Sequence, residues 1–289
     1  MTALAATLDV HPAATAPPPV ARGGPLHGFG VLVARRIRVT TKTLSGIVGQ
    51  LMTPILWVLV VGPALASSLG SFNPGVDYYT FLAVGQVAFL IPFTAMFNGI
   101  NVIVDREFGV LREILVAPVR RWLIPLASAA AVLVITLVQV ALVVGLGRLR
   151  GAHFDTSFTR LPWFIVACVL LCLTLYGVAE TLALRIGRQE AYGPLIPAIG
   201  VTPYFLSGGI YPLSVLPAGL EQAAYILPWT HAVGLMRYGL MGGDASGLTD
   251  IWNVGSQPAA ALLSTAVLVA MATVSLTVAA RVFVRTTTT

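Results

Sequence analysis

Residues 122–147 read WLIPLASAAAVLVITLVQVALVVGLG, an uncharged stretch that lies between Arg121 and Arg148. The hydrocarbon core of a bilayer is crossed by roughly 20 apolar residues of helix. Lipid offers no hydrogen-bond partner to open backbone groups, so a run of this kind must be helical. The alternating polarity of a membrane β-barrel strand is not present in it. This stretch therefore predicts a transmembrane helix.

The composition of the whole chain agrees with that stretch. Its 289 residues are 57% hydrophobic and only 10% charged, with a mean hydropathy of +0.87. A soluble domain carries about 25% charged residues, so most of this surface must face lipid. The net charge of +6 is typical of arginines that anchor cytoplasmic loops, rather than of a nucleic-acid-binding protein. We therefore predict an all-α polytopic membrane protein with no nucleic-acid partner.

Uncharged gaps divide the chain into six predicted spans. Each gap reaches or approaches the length that a bilayer requires. The predicted spans are residues 45–69, 79–104, 123–146, 162–185, 193–211 and 257–280.

The distribution of arginines predicts the orientation. Arg148, Arg150, Arg160 and Arg237 fall outside if the N-terminus is cytoplasmic, and the other basic residues fall inside. Because cytoplasmic loops are enriched in basic residues, six spans place both termini in the cytoplasm of a bacterial plasma membrane. Residues 1–24, rich in Ala, Pro and Thr, are predicted to be a disordered cytoplasmic tail, and 25–285 the membrane domain.

Residues 26–42, LHGFGVLVARRIRVTTK, precede the first span. On a helical wheel Phe29 lies on an apolar face, whereas Arg35, Arg38 and Lys42 lie on the opposite face. This pattern predicts an amphipathic helix lying flat in the membrane interface. The alternative is a basic flank of the first span without a helix of its own.

Residues 105–122, DREFGVLREILVAPVRRW, form the most charged stretch and lie on the predicted cytoplasmic side. Phe108, Leu111 and Leu115 are expected to line one face of a short helix that Pro118 ends. An apolar ridge with charged flanks suits docking into a groove of a soluble partner. A solvated loop with anchoring arginines is an equally simple interpretation.

Residues 212–243 contain apolar pieces that are too short to span, since Glu221, Pro228 and Arg237 interrupt them. Such pieces fit re-entrant half-helices on the outer side. An ordinary structured outer loop is the alternative.

No catalytic or metal-binding motif is present. The sequence contains no G-x-x-x-x-G-K-[ST] phosphate-binding loop and no H-E-x-x-H zinc motif. Cys168 and Cys172 lie one helical turn apart in an apolar run and are expected to pack between helices. The chain is thus predicted to be neither an enzyme nor a metal protein, with its energy supplied by another chain or an ion gradient.

Polar groups inside the spans are candidates for a translocation path. Asn98 and Asn101 share a narrow arc of the second span with Thr94 and Asp105, which should face the bundle, a subunit interface or water. Glu180 lies in the fourth span. It is either a functional carboxylate or the partner of a nearby arginine, Arg185 or Arg188.

Two stretches resemble a known family. IVDREFGVLREILVAPVRR (103–121) is similar to the cytoplasmic loop of type-2 ABC transporter permeases, and residues 205–243 resemble the family's second hallmark, a P-L-x-x-L-P turn followed by L-P-x-(T/S) and an Arg before a Gly. Within the family the chain looks most like the daunorubicin/doxorubicin-resistance permeases and the nodulation-factor exporters.

The resemblance implies an exporter of an amphipathic drug-like, lipid or glycolipid substrate. It implies a second permease subunit, identical or different, and a separate ABC ATPase dimer that binds ATP and Mg. Residues 105–122 would be the coupling helix, 26–42 the elbow helix and 212–243 the re-entrant outer helices. The docking role is carried over to Glu107, Phe108, Gly109, Leu111 and Glu113, and the shared apolar face adds Leu115.

The sequence is also compatible with two other functions. A secondary transporter would need no ATPase and would use a membrane carboxylate such as Glu180. A membrane enzyme would need converging polar groups, for which Glu221, His231 and Arg237 are the candidates.

Overall fold

The computed structural model describes six stretches of the chain, which are residues 25–41, 51–52, 55–69, 77–116, 120–242 and 246–288. All regular structure in these stretches is helical, as the sequence predicts. The predicted disordered tail, residues 1–24, lies outside them.

The helices are numbered in chain order. They are α1 (Pro25–Thr41), α2 (Gly62–Leu69), α3 (Tyr78–Glu107), α4 (Val110–Val116), α5 (Leu123–Leu149), α6 (Leu161–Ile186), α7 (Gln189–Tyr192), α8 (Thr202–Leu206), α9 (Ala218–Ala224), α10 (Pro228–Leu240), α11 (Leu248–Trp252) and α12 (Gln257–Thr288). Wide π-helical turns precede α2 (Trp57–Val61) and α8 (Ile196–Val201), and a 3₁₀ turn (Leu213–Val215) precedes α9.

Among the described residues, four helices are long and apolar enough to cross a membrane: α3, α5, α6 and α12. The shortest, α6, has 26 residues. At about 1.5 Å per residue it exceeds the roughly 30 Å hydrocarbon core. These four helices coincide with the second, third, fourth and sixth predicted spans.

The first and fifth predicted spans differ from these four. Of 45–69, the residues from Trp57 to Leu69 form a helical run, and part of the earlier half lies outside the described residues. The run 193–211 is broken into a π-helical turn and the short α8. Pro203 has no N–H to donate to the preceding turn, which accounts for the irregular hydrogen bonding.

The broken run nevertheless follows α3 along much of its length. Tyr192 Oη donates to the Met96 carbonyl over 2.8 Å, and Tyr78 Oη donates to the Ile210 carbonyl over 3.0 Å. The run is therefore antiparallel to α3. Tyr78 and Met96, the two α3 residues in these contacts, are about 27 Å apart along the helix axis at the usual rise per residue. That six segments cross the bilayer stays a prediction.

Small residues let the helices approach closely. A Cβ atom on Gly177 of α6 would lie 2.6 Å from the backbone of Ser275 on α12, and one on Gly85 of α3 would lie 2.0 Å from the Gly209 carbonyl oxygen. Helices in lipid associate through such contacts because apolar burial provides little driving force there. Cys168 and Cys172 are buried in the core, and no potential metal-binding cluster occurs in the described stretches.

The bundle has two distinct ends. At the α4 end, α1 contacts the end of α3 through Arg36 and Asp105, and Arg121 Nη1 donates to the Thr287 carbonyl of α12 over 2.8 Å. At the α10 end, the Asp155 N–H donates to the Leu240 carbonyl over 2.7 Å. The first helix and the end of the last helix therefore share the α4 end.

The segment predicted to be re-entrant begins and ends at the α10 end. Its first part follows Ile210, beside Tyr78, and its last described residue, Gly242, lies beside Arg160. Between them, every residue of α10 except Tyr238 is buried. The segment thus leaves and returns at one end of the bundle, and its depth in the bilayer stays a prediction.

Candidate functional site

The α4 segment begins with a sharp turn at the end of α3. Gly109 has φ +74, in the left-handed region that suits glycine, and α4 follows directly. A Cβ on Gly109 would meet no atom within 4 Å, so the backbone conformation, not crowding, requires glycine here. Residues 117–119 lie outside the described stretches, and the helix-ending role expected of Pro118 stays a prediction.

The two faces of α4 differ in exposure. Leu111 and Leu115 are half-buried and pack on a cluster that includes Ile124 and Phe283. Phe108 is 77% exposed and Val116 is 87% exposed.

The expectation that Phe108, Leu111 and Leu115 line one face is therefore wrong. The turn at Gly109 separates Phe108 from the helix, and the two leucines face the bundle. The outward surface, called the docking face below, consists of Phe108, Glu113 and Val116, all of which are exposed.

Arg106 and Glu107 tie the end of α3 to the end of α6 and to the start of α7, respectively. Glu107 accepts a 2.8 Å hydrogen bond from Gln189 Nε2, and Arg106 Nη1 donates to the Leu184 carbonyl over 3.3 Å. The docking face therefore lies next to the end of α3, which these two hydrogen bonds hold in place.

A buried polar group lies behind α4. Arg36 of α1 is 6% exposed. Its Nη1 forms an ion pair with Asp105, and its Nη2 donates to Asn98 Oδ1 over 3.3 Å. Glu180 of α6 is 2% exposed and accepts a 3.0 Å hydrogen bond from Tyr176 Oη. We call Arg36, Asp105, Asn98, Glu180 and Tyr176 the Arg36 cluster.

A small cavity of about 40 Å³ connects the Arg36 cluster with α4. Helices α1, α3, α4, α5, α6 and α12 all contribute to its walls. The lining residues are Leu32, Arg35, Arg36, Val102, Asp105, Leu111, Ile114, Ile124, Ser128, Glu180 and Phe283. The inner face of α4 and the charged cluster therefore share one space, so a displacement of α4 would reach several long helices.

Sequence reasoning missed Arg36, the centre of this cluster. Of the predicted elbow residues, Arg38 is exposed, Phe29 is half-exposed, and Arg35 lines the cavity. A usable signal was present, since Phe29, Val33 and Arg36 are spaced i, i+4, i+7 and share one helix face. An arginine on an apolar face requires a partner.

The polar stripe on α3 faces its neighbours. Thr94 Oγ1 donates to Gln139 Oε1 of α5 over 2.9 Å, and Asn98 contacts Arg36. Asn101 is exposed and donates to Asn98 Oδ1 over 3.4 Å. The stripe therefore takes part in packing, and Asn101 is its most exposed member.

Glu180 does not pair with the arginines expected from the sequence. None of the ion pairs within 4 Å among the described residues joins it to Arg185 or Arg188. It faces inward to the Arg36 cluster instead, because Tyr176 lies one turn earlier on the same side of α6.

The three polar residues proposed for a membrane enzyme do not converge. His231 Nδ1 lies 3.2 Å from Ser264 Oγ of α12, and its ring lies beside Trp252. Glu221 and Arg237 line a separate cavity, whose walls do not include His231.

Aromatic rings follow one side of α3. The ring centroids of Phe89 and Phe93 are 6.0 Å apart, and those of Phe93 and Phe97 are 4.6 Å apart. Phe97 is 41% exposed. This side of α3 offers an apolar, partly open surface.

Comparison with known proteins identifies the family. The profile described as ABC-2 type transporter matches residues 27–241, from the start of α1 to the end of α10. The chain belongs to the ABC-2 type transporter family. The match covers the α4 segment and the α10 segment together, the two stretches that carry the sequence resemblance, so the predicted family is confirmed.

Relatives of this ABC-2 chain include transport permeases. It is 26% identical over 210 residues to the ycf38 transport permease of Pyropia yezoensis, covering 72% of each chain. It is 26% identical over 228 residues to nodulation protein J of Rhizobium leguminosarum bv. trifolii, covering 76% of this chain and 83% of the relative. It is also 26% identical over 188 residues to the multidrug ABC transporter permease YbhR of Escherichia coli K12, covering 63% of this chain and 49% of the relative.

Proposed function

We propose that the chain is the membrane-spanning subunit of an ATP-driven exporter, and that α4 is the coupling helix on which a separate ATPase docks. One observation carries the proposal: two large apolar side chains are exposed here, Phe108 at the turn before α4 and Val116 at the end of α4, while Leu111 and Leu115 of α4 pack on the bundle. Exposed apolar residues beside a charged residue are typical of a protein interface.

The Arg36 cluster supports a lever mechanism. ATP and Mg bind on the partner, whose ATP-driven closure would push on the docking face. Leu111 and Ile114 would pass that displacement to the cavity that they share with Arg36, Asp105 and Glu180. Because a buried, hydrogen-bonded charge pair resists distortion, α1, α3 and α6 would move together. A second permease subunit, identical or different, would complete the translocation path.

The arginines support an orientation with the α4 end in the cytoplasm. Arg35, Arg38, Arg106, Arg120 and Arg121 lie at this end and in described residues. At the α10 end the exceptional arginines have local partners: Arg160 Nε lies 3.3 Å from Asp155, and Arg148 donates to the Phe154 carbonyl over 3.5 Å. The positive-inside preference therefore supports a cytoplasmic position for α1 and the end of α12, in a bacterial plasma membrane.

The proposed cargo is amphipathic, a drug-like molecule, lipid or glycolipid. The phenylalanines of α3 offer an apolar contact surface, and the exposed Asn101 adds an amide near its cytoplasmic end. A path of this composition suits an apolar chain with a small polar group.

The docking proposal is tested by a mild-detergent pull-down of the tagged chain from native membranes, with the bound proteins identified. We expect an ATPase with a P-loop to be recovered with the parent, and at least tenfold less of it with Phe108→Asp. Phe158→Asp is the matched control, since Phe158 is 97% exposed but lies at the α10 end.

Leu111→Asp is not a suitable variant, because Leu111 packs on the bundle and its loss would unfold the α4 end. If no ATPase is recovered with the parent in several detergents, the exporter proposal fails. Equal recovery with the parent and with a Phe108→Asp, Val116→Asp double variant would instead place the ATPase contact away from α4.

A further inference from the structure

A second buried arginine lies at the α10 end. Arg237 of α10 is 4% exposed. Its Nη2 donates to the Gly209 carbonyl over 3.0 Å, and its guanidinium lies 3.4 Å above the ring of Phe81. Its Nε is buried and has no hydrogen-bond partner in the described residues.

The described residues provide no counter-ion for this guanidinium. The ion pairs within 4 Å among them do not include Arg237. An arginine stays charged even when buried, and a carbonyl with an aromatic ring replaces only part of its lost hydration. Such a site favours an anion in addition to these two contacts.

Arg237 lines a cavity of about 280 Å³ that can hold such an anion. At roughly 30 Å³ for each water-sized group, this space holds about nine such groups. Phe81 lies one turn from the start of α3, so the cavity is level with the ends of the long helices, where lipid head groups lie.

Two carboxylates line the same cavity. Glu221 of α9 is half-exposed and Asp250 of α11 is exposed, whereas Arg237 is buried. The positive charge therefore lies deep in the protein, and the negative charges lie nearer the solvent. A purely anionic ligand would be repelled by the carboxylates, and a purely cationic ligand by the guanidinium.

We propose that this cavity binds a zwitterionic phosphate–amine group of the phosphoethanolamine kind, as on the head of a membrane amphiphile. The phosphate binds Arg237, and the ammonium group lies between Glu221 and Asp250. Arginine suits the phosphate because its planar fork of N–H donors matches the oxygen spacing. The inference concerns binding by this chain alone, so it holds or fails independently of the proposed ATPase.

The test uses the purified full chain in lipid-free detergent, with ligand binding followed by the shift in Tm. The probes are short-chain phosphatidylethanolamine, short-chain phosphatidylglycerol and soluble phosphoethanolamine. We expect saturable stabilisation by phosphatidylethanolamine, at a concentration at least tenfold lower than phosphatidylglycerol requires. Equal binding of soluble phosphoethanolamine would assign the site to a free ligand, and much weaker binding would assign it to a membrane lipid. No saturable shift with any probe, or no preference between the two lipids, overturns the proposal.

Variants locate the binding. Arg237→Gln is expected to weaken phosphatidylethanolamine binding at least tenfold, while Arg148→Gln, at the same end but outside the cavity, leaves it unchanged. If Arg237→Gln does not fold, the more exposed carboxylates provide the test. A Glu221→Gln, Asp250→Asn double variant should lose the preference for phosphatidylethanolamine and gain affinity for phosphatidylglycerol. An unchanged preference in that variant overturns the proposal.

Discussion

Each end of the bundle buries an arginine, and the two arginines differ in their contacts with the described residues. Arg36 at the α4 end is 6% exposed and forms an ion pair with Asp105. Arg237 at the α10 end is 4% exposed, donates to the Gly209 carbonyl and lies over the Phe81 ring, and it has no ion pair within 4 Å among the described residues.

This difference suits Arg36 to a structural role and Arg237 to ligand binding. A buried pair that the chain completes itself fixes the relative positions of two helices and leaves little attraction for outside ions. A buried charge with no counter-ion among the described residues keeps its attraction for a ligand. The α4 end is accordingly suited to transmit force, and the α10 end is suited to bind.

Removal of Asp105 gives the largest expected effect. Asp105→Ala leaves the Arg36 charge buried without its ion-pair partner, and we expect a loss of about 3–5 kcal/mol in the free energy of unfolding. The measurement is Tm in detergent, followed by loss of the monodisperse peak in size-exclusion chromatography. Asp155→Ala is the control, since Asp155 pairs with Arg160 at the surface and should change Tm little.

A double variant tests whether the loss of stability comes from the unpaired Arg36 charge. Arg36→Leu, Asp105→Leu removes both charges and should recover most of the stability lost in Asp105→Ala. If the double variant is as unstable as the single one, the pair does not account for the buried arginine, and the contrast with Arg237 disappears.

Crowding at the α10 end gives the next effect. Gly85→Ala places a Cβ 2.0 Å from the Gly209 carbonyl, the group to which Arg237 donates. We expect a loss of about 1–3 kcal/mol from the forced backbone shift, measured as a lower Tm. Gly145→Ala is the control, because a Cβ there meets nothing within 4 Å and alanine favours helix. Equal Tm values for the two variants would contradict the close α3 contact.

The turn before α4 gives a smaller effect. Gly109→Ala has space for its methyl group but must hold a left-handed backbone, which costs about 1 kcal/mol. The expected result is a slightly lower Tm with weaker recovery of the ATPase in the pull-down. Gly30→Ala, in α1 with equal space and without a positive φ, should show neither change. If Gly109→Ala matches the parent in both measurements, glycine is not required at this turn.

The smallest effect concerns Asp77, a partly exposed carboxylate that accepts hydrogen bonds from its neighbours. Burial alone would raise the pKa of Asp77, but hydrogen bonds from Thr80, His153 and the Tyr79 N–H outweigh it and hold the pKa below its usual value. Because the folded pKa is lowered, this stabilisation is present above the unfolded pKa of about 4 and is lost as pH falls through the folded value. Tm measured between pH 3 and 6 should fall less steeply for Asp77→Asn than for the parent. Parallel curves would show that Asp77 contributes nothing to acid sensitivity.

The long helices follow from local sequence because the constraint that forms them is local. Residues 123–146 carry no charge, and a chain in lipid must satisfy each backbone group within its own helix. Helices α3, α5, α6 and α12 accordingly match four predicted spans within a few residues, apart from the longer end of α12. The segment 193–211 is harder to interpret, since Pro203 breaks its hydrogen bonding without changing its hydropathy.

The sequence by itself determined the class of protein and the family. Each depends on composition or on a short motif, such as the uncharged 122–147 stretch or REFGVLREILVAPVRR. These features are visible without knowing which residues meet.

Only the tertiary structure decided which charges are paired and which faces are open. Arg36 and Asp105 are 69 residues apart in the chain, and no local pattern connects them. Phe108 is exposed and Leu111 is half-buried against the bundle because the turn at Gly109 sets the direction of α4. Arg237 received a carbonyl, a ring and a cavity because five separate segments meet around it, and such a meeting depends on long-range packing that a single sequence does not reveal.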